Sequence, residues 1–113
     1  MQEYILRFDV MKNVHKGLKA FGLTELEAKV YLKLLELRRS RVTKLAEAVK
    51  ITRTQLYPLL EKLIEKGYVT KVDHSPAIYS VTDPERMEAM LERWLAEQTK
   101  LVNEVRTFLR KTK

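Results

Sequence analysis

Apolar positions recur every three or four residues through most of this chain, and the clearest run is TELEAKVYLKLLEL at 24–37. Thr24 and Glu27 have capping-box spacing, in which a hydroxyl and a carboxylate each close an open backbone N–H at a helix start. Ala28, Tyr31, Leu32, Leu34, Leu35 and Leu37 follow at helical spacing and predict a helix over 25–37. RRSR at 38–41 reads as a short basic link. VTKLAEAVK predicts a short helix over 42–50, with Leu45, Ala46 and Val49 inward. In ITRTQLYPLLEKLIEKG, Thr52 and Gln55 repeat the capping spacing, and Leu56, Leu59, Leu60, Leu63 and Ile64 form an apolar stripe. Gly67 stands where the helix end favours a left-handed residue. Toward the start, Asp9 reads as the cap of a helix over 10–20 carrying Val10, Val14, Leu18 and Phe21 on one face and ended by Gly22. Residues 1–8 stay open between a strand, since YILRF alternates, and a helical extension.

The period changes after Gly67. YVTKV and IYSV are rich in β-branched and aromatic residues, and DHSPA between them supplies turn chemistry. They predict a hairpin of 68–72 with 78–82. Asp83 and Pro84 then mark a strong helix start, and no later glycine or proline stops it before about 110. The order is four helices, a hairpin and a long helix. The fold class is therefore mainly α with a small β-hairpin: a winged helix-turn-helix with a long C-terminal dimerisation helix. The expected division is 1–22 for an N-terminal dimerisation segment, 23–82 for the winged domain and 83–113 for the long helix.

Pro58 interrupts this picture. Proline removes a backbone donor and clashes with the carbonyl four residues back, costing about 3 kcal/mol inside a helix. If Thr52 caps the helix, Pro58 lies past its first turn and frees the carbonyl of Thr54. If the helix proper starts near Gln55, the cost nearly vanishes, because first-turn donors lack intrahelical partners anyway. In both cases the proline marks an exposed front end, the part of a winged helix that enters the DNA major groove. The plain alternative is a tolerated kink in a core helix.

The last helix carries a heptad seam. Met87, Leu91, Trp94, Gln98, Leu101, Val105 and Phe108 advance in steps of four and three, and Leu95, Val102 and Leu109 widen the stripe. An apolar face some 40 Å long, at about 1.5 Å per residue, exceeds what one winged domain covers. The simplest partner is a second copy, giving a homodimer with Leu91, Trp94, Gln98, Leu101, Val105 and Phe108 at the interface. Gln98 would fix register or pair across the two-fold axis. The helix can alternatively fold back on the N-terminal helix of its own chain.

Charge sharpens the assignment. Lys and Arg number 22 against 15 Asp and Glu, for a net charge of +7. Residues 38–71 hold nine basic and three acidic residues, so +6 of that excess lies in the proposed DNA-binding half. Phosphate neutralisation with counterion release uses such an excess. Cysteine is absent, and His15 and His74 are far apart. Disulfides, thiolate zinc sites and cysteine nucleophiles are thereby excluded, and neither a metal nor a cofactor is expected. His15 reads as a surface residue and His74 as a turn residue. No carboxylate pair, nucleophile–base set or glycine-rich phosphate loop suggests an enzyme; Gly17, Gly22 and Gly67 read as helix punctuation. Without a bilayer-length apolar run or a leader sequence, the expected location is the cytoplasm, with no membrane partner.

GLTELEAKVYLKLLEL, LAEAVKITRTQLYPLLEKLIEKGYV and IYSVTDPERM together resemble the DNA-binding domain of TrmB-type archaeal transcriptional regulators over about 17–95. LYPLLEKLIEKG also resembles the recognition helix of PadR-type regulators. The TrmB resemblance implies a winged helix that binds double-stranded operator DNA as a dimer, with Thr52, Arg53, Thr54 and Gln55 at the groove-facing start of the recognition helix. Arg53 and Gln55 have the chemistry for bidentate contacts to guanine or adenine edges, and Thr52 and Thr54 for bases or phosphates. Arg38, Arg39, Arg41 and Lys44 would hold phosphates, with Lys71 doing so from the wing. Tyr57 reads equally as a phosphate contact and as a packing residue. Two positions depart from the family pattern. Lys50 stands where glycine is frequent in the helix-turn-helix turn, and the wing tip at 73–77 lacks basic residues. Larger members carry a C-terminal sugar-binding domain, for which this chain is too short, so a sugar effector is not carried over and no small-molecule effector is evident from the residues. The competing readings are a winged-helix protein-interaction module and a nonspecific chromatin-type DNA binder.

Overall fold

The computed structural model describes residues 8–112, with side chains from Lys12 onward. The chain divides into two compact units, one ending at Thr82 and one beginning at Asp83. The first contains α1 (Phe8–Ala20), α2 (Glu25–Leu37), β1 (Arg39–Arg41), α3 (Val42–Val49), α4 (Arg53–Glu65), β2 (Val69–His74) and β3 (Ala77–Val81). The second is one helix, α5 (Pro84–Lys111). Three helices, α2 to α4, together with an antiparallel sheet of order β1-β3-β2 whose first strand lies between α2 and α3, make a winged helix-turn-helix.

Both expected capping boxes form. The Thr24 hydroxyl accepts from the Glu27 N–H, and the Glu27 carboxylate accepts from the Thr24 N–H. Thr52 and Gln55 make the same reciprocal pair at the start of α4. This fixes Arg53 as the first residue of α4, so the alternative start near Gln55 is ruled out and Pro58 lies in the second turn. Pro58 and Thr54 are both exposed. Water can therefore reach the carbonyl that the proline leaves without its donor, which limits the penalty.

Several boundaries differ from the sequence reading. Residues 39–41 are a strand and not a link: Arg39, Ser40 and Arg41 pair with Ser80, Tyr79 and Ile78. Three residues are too few to show alternation, and the strand exists because β3 offers it an edge. The hairpin is shifted to 69–74 and 77–81, so Asp73 and His74 belong to β2 and the turn is narrower than DHSPA suggested. Helix α3 stops at Val49, with Lys50 as its left-handed cap. Helix α1 begins by Phe8, placing Asp9 inside it and not at its cap. Gly17 lies within α1 and punctuates nothing, while Gly22 and Gly67 do turn the chain through positive φ. The open reading for the first residues falls, for 1–7, outside the described ones.

The core gathers on α2, which packs against α1, α3 and α4. Ala28, Leu34, Leu45, Leu56, Leu60 and Leu63 are wholly buried, and Val30, Val49, Val69 and Tyr79 nearly so. Each buried leucine contributes about 2 kcal/mol relative to an exposed one. The Tyr68 ring meets Phe21 and Tyr31 edge-on, with centroids 5.9 and 5.3 Å away.

One buried charge belongs to this core. Glu27 is 3% exposed, and its carboxylate accepts from Lys66 Nζ at 2.6 Å. Lys66 also donates to the Gly22 carbonyl, so one ammonium joins the end of α4 to the turn before α2. Burial pushes the Glu27 carboxyl up, but the hydrogen bonds from Lys66 and Thr24 outweigh it and hold the group below its ordinary 4.5. A lowered carboxyl stabilises the fold above its ordinary value, and that contribution disappears as pH falls through the lower folded value. Glu27→Gln keeps a capping side chain and deletes the charge. It is expected to cost about 2 kcal/mol at neutral pH. The difference from wild type should shrink below pH 4.5 in denaturation curves recorded across pH. A gap constant with pH would show that the ion pair contributes nothing.

In the second unit, Asp83 occupies the N-cap position without a side-chain cap bond, and Pro84 starts α5. The helix has 28 residues, about 42 Å at 1.5 Å per residue. Leu91, Leu95, Leu101, Val102, Val105, Phe108 and Leu109 are all exposed, while Trp94 and Gln98 are half-buried.

Candidate nucleic-acid interface

The helix-turn-helix comes from two short-range facts. Lys50 turns left-handed after α3 (φ 61°, ψ 44°), and Thr52 returns to extended backbone before α4. The chain thus turns from α3 into α4 within three residues. Leu56, Leu60 and Leu63 anchor α4 in the core. This leaves Thr52, Arg53, Thr54 and Gln55 exposed together at its N-terminus. Four polar side chains stand on a rigid helix start whose free N–H groups already favour an anion.

The cap constrains what two of these residues can do. Gln55 Oε1 accepts from the Thr52 N–H at 3.1 Å and lies 3.2 Å from its hydroxyl. The amide nitrogen of Gln55 keeps its donors available. Arg53 and Thr54 have no part in the cap. Tyr57 is one turn beyond Arg53 on the same face and 45% exposed. That exposure favours the contact reading of Tyr57 over the packing reading.

The basic residues divide by sheet face. Ser40, Tyr79 and Lys71 are in register across β1, β3 and β2 and so point to one side. Ser40 and Tyr79 are buried, while the exposed Lys71 places Nζ 5.8 Å from the Tyr79 ring centre. Burial pushes the Tyr79 phenol up, and the charges of Glu61 and Tyr57 on α4 add to the shift. Lys71 therefore stands on the sheet face that carries the buried Ser40 and Tyr79. Arg39 and Arg41 alternate with Ser40 and project from the opposite face. Lys44 is exposed in the first turn of α3, and Arg38 is exposed just before β1. The fold therefore brings 52–55 into one cluster but does not gather all five proposed phosphate contacts beside it.

Among the described residues, Arg38, Arg39, Arg41, Lys44, Arg53 and Lys71 join no ion pair. Lys19, Lys33, Lys62 and Lys66 do, with Glu25, Glu36, Glu65 and Glu27. His15 is half-buried and bonds Glu25, whose carboxyl is held below its ordinary range by Lys19 first and by His15 second. The described residues contain no group of three His, Cys, Asp or Glu able to hold a metal ion.

Residues 18–85 match the family described as "Sugar-specific transcriptional regulator TrmB". The HTH-type sugar sensing transcriptional regulator TrmBL1 of Pyrococcus furiosus is 38% identical over 74 residues, which cover 66% of this chain and 22% of that protein. This chain therefore spans about a fifth of the length of that relative. The fold is similar to that of the ST1889 protein of Sulfolobus tokodaii (TM-score 0.68, 23% identity, 82% of this chain and 97% of that one). It is also similar to reduced AbfR of Staphylococcus epidermidis, solved bound to DNA (TM-score 0.55, 25% identity, 84% and 77%).

Proposed function

This chain belongs to the TrmB family of transcriptional regulators, and from that premise we propose that it binds operator DNA as a homodimer, with the start of α4 in the major groove. The observation that carries this reading is the exposed segment 52–55, fixed by its own capping box and holding an arginine without an acidic partner. Arg53 reads a guanine edge through paired N–H donors, and Thr54 and the Gln55 amide nitrogen contact neighbouring bases. Thr52, whose hydroxyl serves the cap, contacts the same groove by position. Lys44 holds a phosphate from α3 and Lys71 one from the wing, and Arg38, Arg39 and Arg41 extend the positive field along β1. The dimer forms along α5 through Leu91, Trp94, Gln98, Leu101, Val105 and Phe108. It spaces two recognition helices by about one DNA turn or a multiple. The TrmB match and the DNA-bound structure of AbfR support this reading.

The test is a titration of the protein on its own upstream duplex and on a scrambled duplex, at two salt concentrations. Arg53→Ala should weaken specific binding by about 2 kcal/mol per half-site and flatten the preference between duplexes. Equal wild-type binding to both duplexes would indicate a nonspecific architectural binder. No binding at low salt would sink the DNA reading in favour of a protein-interaction module, a use to which the fold is also suited.

A further inference from the structure

Four described residues turn through positive φ, each just past a helix end. Gly22 (φ 120°) follows α1 and Gly67 (φ 90°) follows α4. Glycine is the ordinary choice there because it has no Cβ to collide with the preceding carbonyl. The other two are Arg38 (φ 73°, ψ −48°) after α2 and Lys50 (φ 61°, ψ 44°) after α3. The backbone makes a similar demand at all four positions, yet two are met by long cations.

These conformations disfavour an L side chain. Lys50 lies in the left-handed helical region, and Arg38 lies close to the rarer γ-turn region. Neither backbone is idle. The Lys50 N–H donates to the Ala46 carbonyl, and the Arg38 carbonyl accepts from the Val81 N–H and the Ser80 hydroxyl. Both side chains are exposed, and neither joins an ion pair among the described residues. Packing and salt bridges therefore give no reason to keep a cation in a conformation suited to glycine. The negative end of a helix dipole does attract a cation, but that attraction would register as stability and is separable by experiment.

The two glycines lie together, since Lys66, next to Gly67, donates to the Gly22 carbonyl. The two cations belong to the helix-turn-helix half. Lys50 is in its turn, two residues before the cap that presents 52–55. Residues held in disfavoured backbone conformations concentrate where function needs them. We propose that Lys50 is a DNA-phosphate contact made from the helix-turn-helix turn, and that it and Arg38 are retained for binding at positions where glycine would be more stable. This rests on the duplex-DNA reading above.

Stability and binding should move in opposite directions. Lys50→Gly and Arg38→Gly are expected to raise Tm by about 4 °C each. Each should weaken duplex binding roughly fivefold per contact and reduce the slope of log K against log salt by about 0.9 per protomer. Lys50→Asn, which tolerates the same backbone without the charge, should show the same loss of slope with no loss of Tm. Wild type and Arg53→Ala are titrated alongside. A lower Tm in the glycine variants overturns the proposal, because the cations would then serve stability through the helix dipole. A raised Tm with an unchanged slope overturns it too, because the side chains would then contact no phosphate. If wild type binds and Arg53→Ala weakens it while Lys50→Gly binds like wild type, only this inference fails. If wild type binds no duplex, the DNA reading itself fails and this inference falls with it.

Discussion

Leu101→Glu combined with Val105→Glu should leave a folded monomer in sedimentation or light-scattering measurements in which the wild type is expected to run as a dimer. The seam on α5 places these residues one turn apart, 54% and 58% exposed in the single chain. Two copies would bury them against each other and place four carboxylates in an apolar interface. Charges buried without partners cost several kcal/mol together, so the dissociation constant should rise by roughly a thousandfold, about 4 kcal/mol. The first unit has its own core, with Leu34, Leu45, Leu56 and Leu60 wholly buried, so the variant should retain its fold below Thr82. DNA binding should weaken with the lost dimer, because two half-sites would no longer be held by one particle. A double variant that still sediments as a dimer would place the interface elsewhere and leave the apolar face of α5 for another occupant.

Leu60→Ala should have the largest effect on stability. Leu60 has no exposed surface and lies in the middle of α4, where that helix packs on α2. Truncation removes three carbons' worth of burial and leaves a cavity that the helices close only in part, for a loss of about 3 kcal/mol. The corresponding drop in Tm is roughly 15 °C. Because Leu60 faces inward and 52–55 face outward, the fraction that stays folded should still bind DNA, which separates anchoring from contact. Urea unfolding gives the measurement. A loss below 1 kcal/mol would mean that α4 is not anchored where the structure places it.

The helices were legible because their signals are local. The capping boxes at Thr24 and Thr52, the periodic leucines and the Asp83–Pro84 start each depend on residues within one or two turns. What escaped depends on distant partners. β1 exists only because β3 lies beside it, and nothing in Arg-Ser-Arg announces that. The link from Glu27 to Lys66 spans 39 residues. In sequence, Glu27 reads as a capping residue and Lys66 only as one of the nine basic residues of 38–71. The composition of the candidate site, 52–55, could be read directly from the chain, but its division by sheet face could not. Lys71 is on the Tyr79 side of the sheet and Arg39 and Arg41 on the other, which follows from strand order and register. Lys50 was visible as a departure from a glycine-rich turn, but the left-handed backbone that gives the departure a physical meaning was not.

Pro58 divides α4 in a way that bears on how the protein would seat itself on a duplex. Upstream of it, Leu56 N–H bonds to the Thr52 carbonyl and the capping box ties 52 to 55, making a closed knot of one turn. Downstream, Leu60 and Leu63 fasten the rest to α2 and α3. At the boundary, the rung from residue 58 to residue 54 is missing. On the DNA reading proposed above, the turn carrying 52–55 would therefore be held to the leucine-anchored part of α4 by one backbone hydrogen bond fewer than an unbroken helix supplies.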